Sequence, residues 1–314
     1  MADDLNPRLC AAVKEFSVWW DRRLKKISAA DAVREPLFHY TNMAGLLGIL
    51  TSEEMWFTSI FHLNDPSELA HGFAMARRTL TEEAQREHKI AQYFCAVMMN
   101  LLDDAPTVFL HFIGSFSRAS NDLGQWRAYA DNARGVAIGF SPKLFQIVEN
   151  SDELSLSEKT FVARVDYDPA NCARNFQRAV RHAVGIAVRN DCYVRSDAER
   201  KRFVREMTVQ LAPPLIWYSS TSKHAAYAHE QETRLIIVND REKLDPITRT
   251  RARRSNLVPY IPSPFRVREK GALMKIMVGP AADRLAENAV QSLLASHGLP
   301  PDIVERSDIP YTAL

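Results

Sequence analysis

The chain has 314 residues, of which 46% are hydrophobic and 25% charged, and its net charge is +2. That composition is ordinary for a globular chain long enough to bury a sizeable core, so a disordered or fibrous protein is excluded, and no global charge argues for nucleic-acid or membrane binding. Glycines number only 11 and form neither G-x-G-x-x-G nor G-x-x-x-x-G-K-[ST], which removes the Rossmann and P-loop phosphate cradles.

Cys10, Cys95, Cys172 and Cys192 are scattered without a C-x-x-C pair. In a chain of this length they point to reduced thiols in a cytosolic setting. No apolar run reaches about 18 residues. The start, MADDLNPRLCAAVKEF, lacks a basic region followed by an apolar one. A cytoplasmic location in the producing cell, with no membrane association, is therefore expected; export without such a signal stays open.

Residues 8–30 read as a helix, with Leu9, Ala12, Val13, Phe16, Trp19, Trp20 and Leu24 at helical spacing. Trp19 and Trp20 read as packing residues. After Pro36 comes a short strand, Leu37–Tyr40, then a helix, Met43–Leu50, for which Thr41 or Asn42 is the N-cap. Glu54–Thr58 is a second strand, and HLNDPSE (62–68) a turn. Helices follow at Leu69–Arg86 and Lys89–Leu102, and Glu53-Glu54 and Glu82-Glu83 read as solvated helix ends. Buried strands are expected at 107–117 and 135–141, and an alternating one at 161–167. A long helical region, 172–211, is expected to break at Pro213-Pro214. RLIIVND (234–240) is a strong strand, TRTRARR (248–254) a mobile, solvated loop, VPYIP and LMKIMVGP short strands, and Ala282–Ser296 a closing helix. Strands and helices intersperse without regular βαβ units, so an α+β fold with a mixed or antiparallel sheet is expected. The organisation read from this pattern is a helical lead-in, 1–35, packed on a single domain, 36–314, with helical insertions at about 69–105 and 172–211.

Three stretches could carry chemistry. In LFHYTNMAGLLGILTSEEMWFTS, His39, Tyr40 and Thr41 close a buried strand where it meets a helix; a lone histidine there is by default a satisfied core or turn residue. In HEQETRLIIV, Glu230 and Glu232 stand two apart before an apolar strand. If strand geometry already holds, the carboxylates share a side and repel, which fits one for acid–base work; alternatively this is a solvated strand entrance with Arg234 as ion-pair partner. In LGQWRAYADNARGVAIGF, Gln125, Trp126, Arg127, Tyr129, Asp131 and Arg134 crowd between two strands. They offer a stacking plane and phosphate partners, or a packed loop pinned by Trp126. His224 and His229, five apart, do not share a helical face, and neither H-E-x-x-H nor G-x-S-x-G occurs, so neither a metal nor a serine nucleophile is expected.

The order HYT, MWFTS, LNDPSE, SFS…QWRAYAD…GVAIGF, E-x-E-x-R, PYI and IMVGP resembles a bacterial family known as a domain of unknown function, DUF2971, over residues 36–281. More distantly, the same motifs resemble the ADP-ribosyltransferase fold. That resemblance implies a split, mixed or antiparallel sheet and NAD as substrate. His39 and Thr41 would hold the adenosine ribose, and Trp56 and Ser59 of WFTS would shape the nicotinamide pocket. Glu232 would be the catalytic carboxylate, and Glu230 would face the acceptor. The stacking aromatic stays open among Tyr40, Trp56, Phe57 and Tyr129, and Trp126, Arg127 and Arg134 would line the cofactor. The implied activity is a glycosyltransferase, moving ADP-ribose to a protein or nucleic-acid acceptor or hydrolysing NAD, in a toxin, effector or phage-defence role. Two alternatives accompany it: an NAD-dependent RNA 2′-phosphotransferase, and a non-enzymatic nucleotide- or nucleic-acid-binding module using the arginines of 249–254.

Overall fold

A computed structural model describes residues 5–63, 66–105, 111–145, 160–238, 245–253 and 256–312. The expected turn at Asn64-Asp65, the start of the expected strand 107–117, the end of 234–240 and Arg254 lie outside the described residues. The fold is α+β. Strands β1 (Leu37–Thr41), β2 (Glu54–Ser59), β3 (His111–Ser117), β4 (Val136–Phe140), β5 (Thr160–Arg164), β6 (Glu232–Val238), β7 (Arg249–Arg253), β8 (Asn256–Pro264), β9 (Leu273–Val278) and β10 (Val304–Arg306) join one sheet. The helices are α1 (Pro7–Ala30), α2 (Met43–Ser52), α3 (Pro66–Ala84), α4 (Lys89–Asp103), α5 (Leu123–Tyr129), α6 (Pro169–Asn190), α7 (Asp197–Thr221) and α8 (Ala286–Ser296).

The chain divides into two compact units. One comprises Met1–Ala30, Leu63–Phe109 and Asp166–Ala225; the other comprises Asp31–His62, Leu110–Val165 and Ala226–Leu314. This redraws the organisation expected from sequence. The lead-in helix is not an appendage to one 36–314 domain: α1 packs on α6 and α7, so lead-in and insertions form one helical unit.

In the helical unit, Leu9, Ala12, Phe16, Trp20 and Leu24 form the buried stripe of α1, the recurrence that turns one face of a helix inward. Trp20 meets Trp217 and Tyr218 edge-on, at 6.5 and 5.6 Å between centroids. Gly72 lets α3 lie close against α7, since a Cβ there would stand 2.4 Å from the Ser219 Cα. The helix break falls elsewhere than expected: α7 runs through Pro213-Pro214. The prolines remove donors to the Val209 and Gln210 carbonyls, but Leu211, Ala212, Leu215, Ile216 and Trp217 are buried around them and hold the helix by packing. The real break lies before Asp197, where Ser196 caps α7 by accepting from Glu199 N at 3.1 Å and Glu199 reaches back to accept from Arg195 N at 2.7 Å. Glu83 is no solvated helix end. It is 2% exposed, with Arg181 Nε at 2.8 Å from Oε1 and Arg86 at 2.9 Å from Oε2 in an off-axis ion pair.

In the sheet unit the strand order is β10-β9-β4-β1-β3-β2-β8-β7, with β6 on β3 and β5 on β6. All pairs are antiparallel except β9–β10. One face carries the main core, including Met55, Phe57, Phe112, Phe116, Leu235, Ile237 and Ile261, with Leu46 and Leu50 of α2 and Val290 and Leu294 of α8. Asn42, the N-cap of α2, accepts from Gly45 N at 2.8 Å. The expected arginine-rich loop is instead the edge strand β7, paired with β8 from Arg249↔Tyr260 to Arg253↔Asn256.

Candidate functional site: a fork in the sheet

β6 occupies the whole of one edge of β3, from His111↔Val238 to Ser117↔Glu232. β1 and β2 therefore share the other edge. β1 touches it at Phe38↔Ser117, and β2 at Thr58↔Ile113 and Ser59↔Phe112. Between these contacts, around Gly114–Phe116, neither strand is in register with β3 and the sheet forks. Gly114 lets the Phe57 ring close over the fork, where a Cβ would meet ring carbon at 3.0 Å.

His39 occupies this fork, half-buried, its ring 5.8 Å from that of Phe116. Its Nδ1 lies 3.1 Å from the Ser115 carbonyl oxygen. A carbonyl only accepts, so Nδ1 carries the hydrogen and Nε2 of the neutral ring carries a lone pair. Burial lowers the His39 pKa; the Ser115 bond opposes this and the Arg251 charge adds to it. The ring is therefore neutral at pH 7. The default of a satisfied histidine holds for one nitrogen.

Glu232 lies in the row of Phe38 and Ser117, and Arg234 in that of Ser115. Glu232 is 7% and Arg234 2% exposed. They pair bidentately, Nε to Oε1 and Nη2 to Oε2, each at 2.8 Å. The expected same-side pairing of Glu230 with Glu232 does not arise from strand geometry. Glu230 ends a 3-10 turn, Ala225–Glu230, and Gln231 turns left-handed at φ 45° before the strand begins. Ser117 Oγ fixes this entrance by donating to the Glu230 carbonyl at 2.7 Å and accepting from Ala119 N at 3.0 Å. His39 alternates to the face of Ile138 and Glu232 to that of Ser117, so the two are linked through β3 rather than side by side.

The remaining residues of the expected cofactor site divide. Tyr40 and Trp126 pack edge to face at 4.9 Å in a second, small core. The Tyr40 hydroxyl donates to the Ala119 carbonyl at 2.9 Å and accepts from Asp122 N at 3.1 Å, and burial raises its pKa. Trp126 is fully buried, with Nε1 donating to Asn121 at 2.8 Å. Both therefore pin the 119–126 segment and offer no open stacking face. Tyr129 packs against the same cluster, whereas Arg127 and Arg134 are exposed. Thr41 backs α2, where a Cβ on Gly45 would collide with its hydroxyl. Ser59 is buried, with Oγ 3.1 Å from His62 Nδ1. Trp56 is open, 45% exposed.

Arg251, read from sequence as part of a solvated loop or as a nucleic-acid contact, sits instead on the edge strand β7. It donates from Nη2 to Thr58 Oγ1 at 2.9 Å and lies 5.4 Å from the Trp56 ring and 5.6 Å from that of Tyr260. The only signal of that strand was the alternation Arg249, Arg251, Arg253, a period-2 pattern hidden by its polarity. Among the described residues, no three His, Cys, Asp or Glu side chains gather as a metal ligand set, and no helix is long and apolar enough to cross a membrane.

Fold and site thus define an α+β protein whose sheet forks over a neutral histidine and a buried Glu–Arg pair. Residues 125–235 match the family described as "Protein of unknown function (DUF2971)", which identifies this segment as DUF2971, the family the motif order pointed to. The match covers Glu230, Glu232 and Arg234, while His39 and Trp56 lie before it. No curated protein and no solved structure matches the chain.

Proposed function

We propose that the protein cleaves the nicotinamide–ribose bond of NAD and transfers ADP-ribose to a macromolecular acceptor or to water. The observation that carries this reading is the fork itself. A neutral histidine is fixed there with Nε2 as acceptor, and a buried carboxylate stands across β3, on β6 and on the other face of the sheet. NAD would thread the fork, its adenosine ribose on the His39 side and its nicotinamide ribose on the Glu232 side. His39 Nε2 would accept from an adenosine-ribose hydroxyl while Nδ1 keeps its bond to Ser115. Glu232 would accept from a hydroxyl of the nicotinamide ribose and stabilise the positive charge that builds as the glycosidic bond breaks. A carboxylate has about four lone-pair sites, so a bidentate arginine does not by itself exhaust it. Arg234 would then act as the positioning residue that keeps Glu232 ionised and oriented. Nicotinamide leaves with the electrons of the broken bond, the acceptor's nucleophile closes on the ribose carbon, and its proton passes to solvent.

The test is nicotinamide release from NAD by wild type, Glu232→Gln and His39→Gln. Glutamine at 39 still offers an N–H to Ser115. Wild-type release, lost in Glu232→Gln and weakened in KM in His39→Gln, supports the reading. Because Glu232→Gln removes the carboxylate that Arg234 holds bidentately, the double variant Glu232→Gln/Arg234→Met serves as a folded control. Absence of release from wild type across protein, RNA and DNA acceptors and water would overturn the proposal.

A further inference from the structure

The β2–β8–β7 corner has features the NAD reading does not use. Antiparallel partners share a face. Trp56↔Pro262, Thr58↔Tyr260, Arg249↔Tyr260 and Arg251↔Val258 therefore place Trp56, Thr58, Tyr260, Arg249 and Arg251 on one surface. β7 is the last strand of the order, so this surface runs out to a sheet edge. Trp56 rests on Tyr260, centroids 4.4 Å apart at 31°, and is still 45% exposed. Arg251 is wedged against both rings.

Several arginines elsewhere in the molecule are matched by a carboxylate. Arg181, Arg200, Arg234, Arg268 and Arg306 each pair with a carboxylate. Arg249 and Arg251 have no carboxylate partner among the described residues. Burial depresses the Arg251 pKa and the nearby Arg253 charge depresses it further. Along a strand, Arg249 and Arg251 repeat at about 6.7 Å on one side.

We propose that this surface binds single-stranded nucleic acid, with a base stacked on Trp56 and successive phosphates on Arg249 and Arg251. An acidic peptide would match the arginines but leave the indole unused. A single strand presents an aromatic face and a repeating anion together, and a duplex would hide its bases. No base-edge reader is needed for such a surface, so it is sequence-tolerant. The inference stands or falls independently of NAD cleavage.

The experiment is fluorescence anisotropy of a labelled 12-nucleotide oligouridylate with the full chain, from 50 to 300 mM NaCl. Binding should weaken steeply with salt. Arg249→Gln, at an exposed side chain, should lower the slope of log K against log salt by about 0.7. Trp56→Leu should weaken binding about five- to a hundredfold while leaving much of that slope. Melting curves confirm that both variants are folded. No binding at 50 mM NaCl, binding unmoved by both substitutions, or equal displacement by a polyglutamate peptide would each overturn the proposal.

Discussion

Each unit buries a glutamate against arginine, and the two pairs are built differently. In the helical unit, Glu83 is sealed while Arg86 and Arg181 remain 58% and 50% exposed. The acid is inside and the arginine heads stay in water, so its partners lose little hydration. In the sheet unit, Glu232 and Arg234 are both sealed, 9% and 3% exposed at their side chains. Both charges there are out of water, and a desolvated charge that loses a partner is expensive. An open pair tolerates the loss of one member; a closed pair does not.

The largest expected effect tests that contrast directly. Glu232→Gln should destabilise by about 3–5 kcal/mol by taking the paired carboxylate from a buried guanidinium, and the double change with Arg234→Met should recover much of it. Glu83→Gln should cost roughly 1–3 kcal/mol, because Arg86 and Arg181 can turn to solvent. Chemical denaturation of the variants measures both. Equal losses would erase the distinction.

Next comes acid. Burial lowers the His111 pKa to about 4, against about 6.5 in an unfolded chain. Between these values the unfolded state binds the proton and the folded state does not, so stability falls as pH drops from 6.5 to 4. The loss approaches about 3 kcal/mol for this group. Burial also lowers His39 and His62 in the same unit and His182 in the helical one, all in the same direction. Denaturation midpoints from pH 7 to 4 should fall accordingly, and less in His111→Phe.

Close approaches give a smaller effect. Gly72→Ala drives a methyl to 2.4 Å from backbone of α7, whereas Gly114→Ala meets the edge of the Phe57 ring at 3.0 Å. The first should cost about 1–3 kcal/mol. The second should cost less, since a ring edge yields more readily than backbone, and paired melting curves rank the two. The smallest contrast is between caps. Ser196→Ala and Asn42→Ala should each cost about 1 kcal/mol, Ser196 in the helical unit and Asn42 beside the fork.

The same division decides what the sequence could reveal. α1, α4 and the strands around 111–117 and 136–140 were legible because burial imposes a period on apolar residues, and α1 shows it from Leu9 to Leu24. β7 was not, because an edge strand of Arg, Thr and Ala carries no apolar signal until β8 pairs with it. Pro213-Pro214 misled because a local rule was overridden by packing on α7. At the candidate site, Arg234 was legible as an ion-pair partner, but of a solvated strand entrance; the pair with Glu232 is buried instead, because β3 and β5 flank β6 on both edges. The setting of Glu230 was not legible, since one left-handed residue, Gln231, decides it. His39 could be singled out but not explained: its role depends on a carbonyl 76 residues away.

The shared strand β3 also governs how the chain can be made. Its first edge needs β1 and β2, which precede it, but its second needs β6, which follows α6 and α7. The helical unit is likewise unfinished until Ala225. A ribosome must therefore deliver more than two thirds of the chain before either unit can close. Through that interval the open edge of β3, with Phe112, Ile113 and Phe116 upon it, is the segment most in need of a chaperone's shelter.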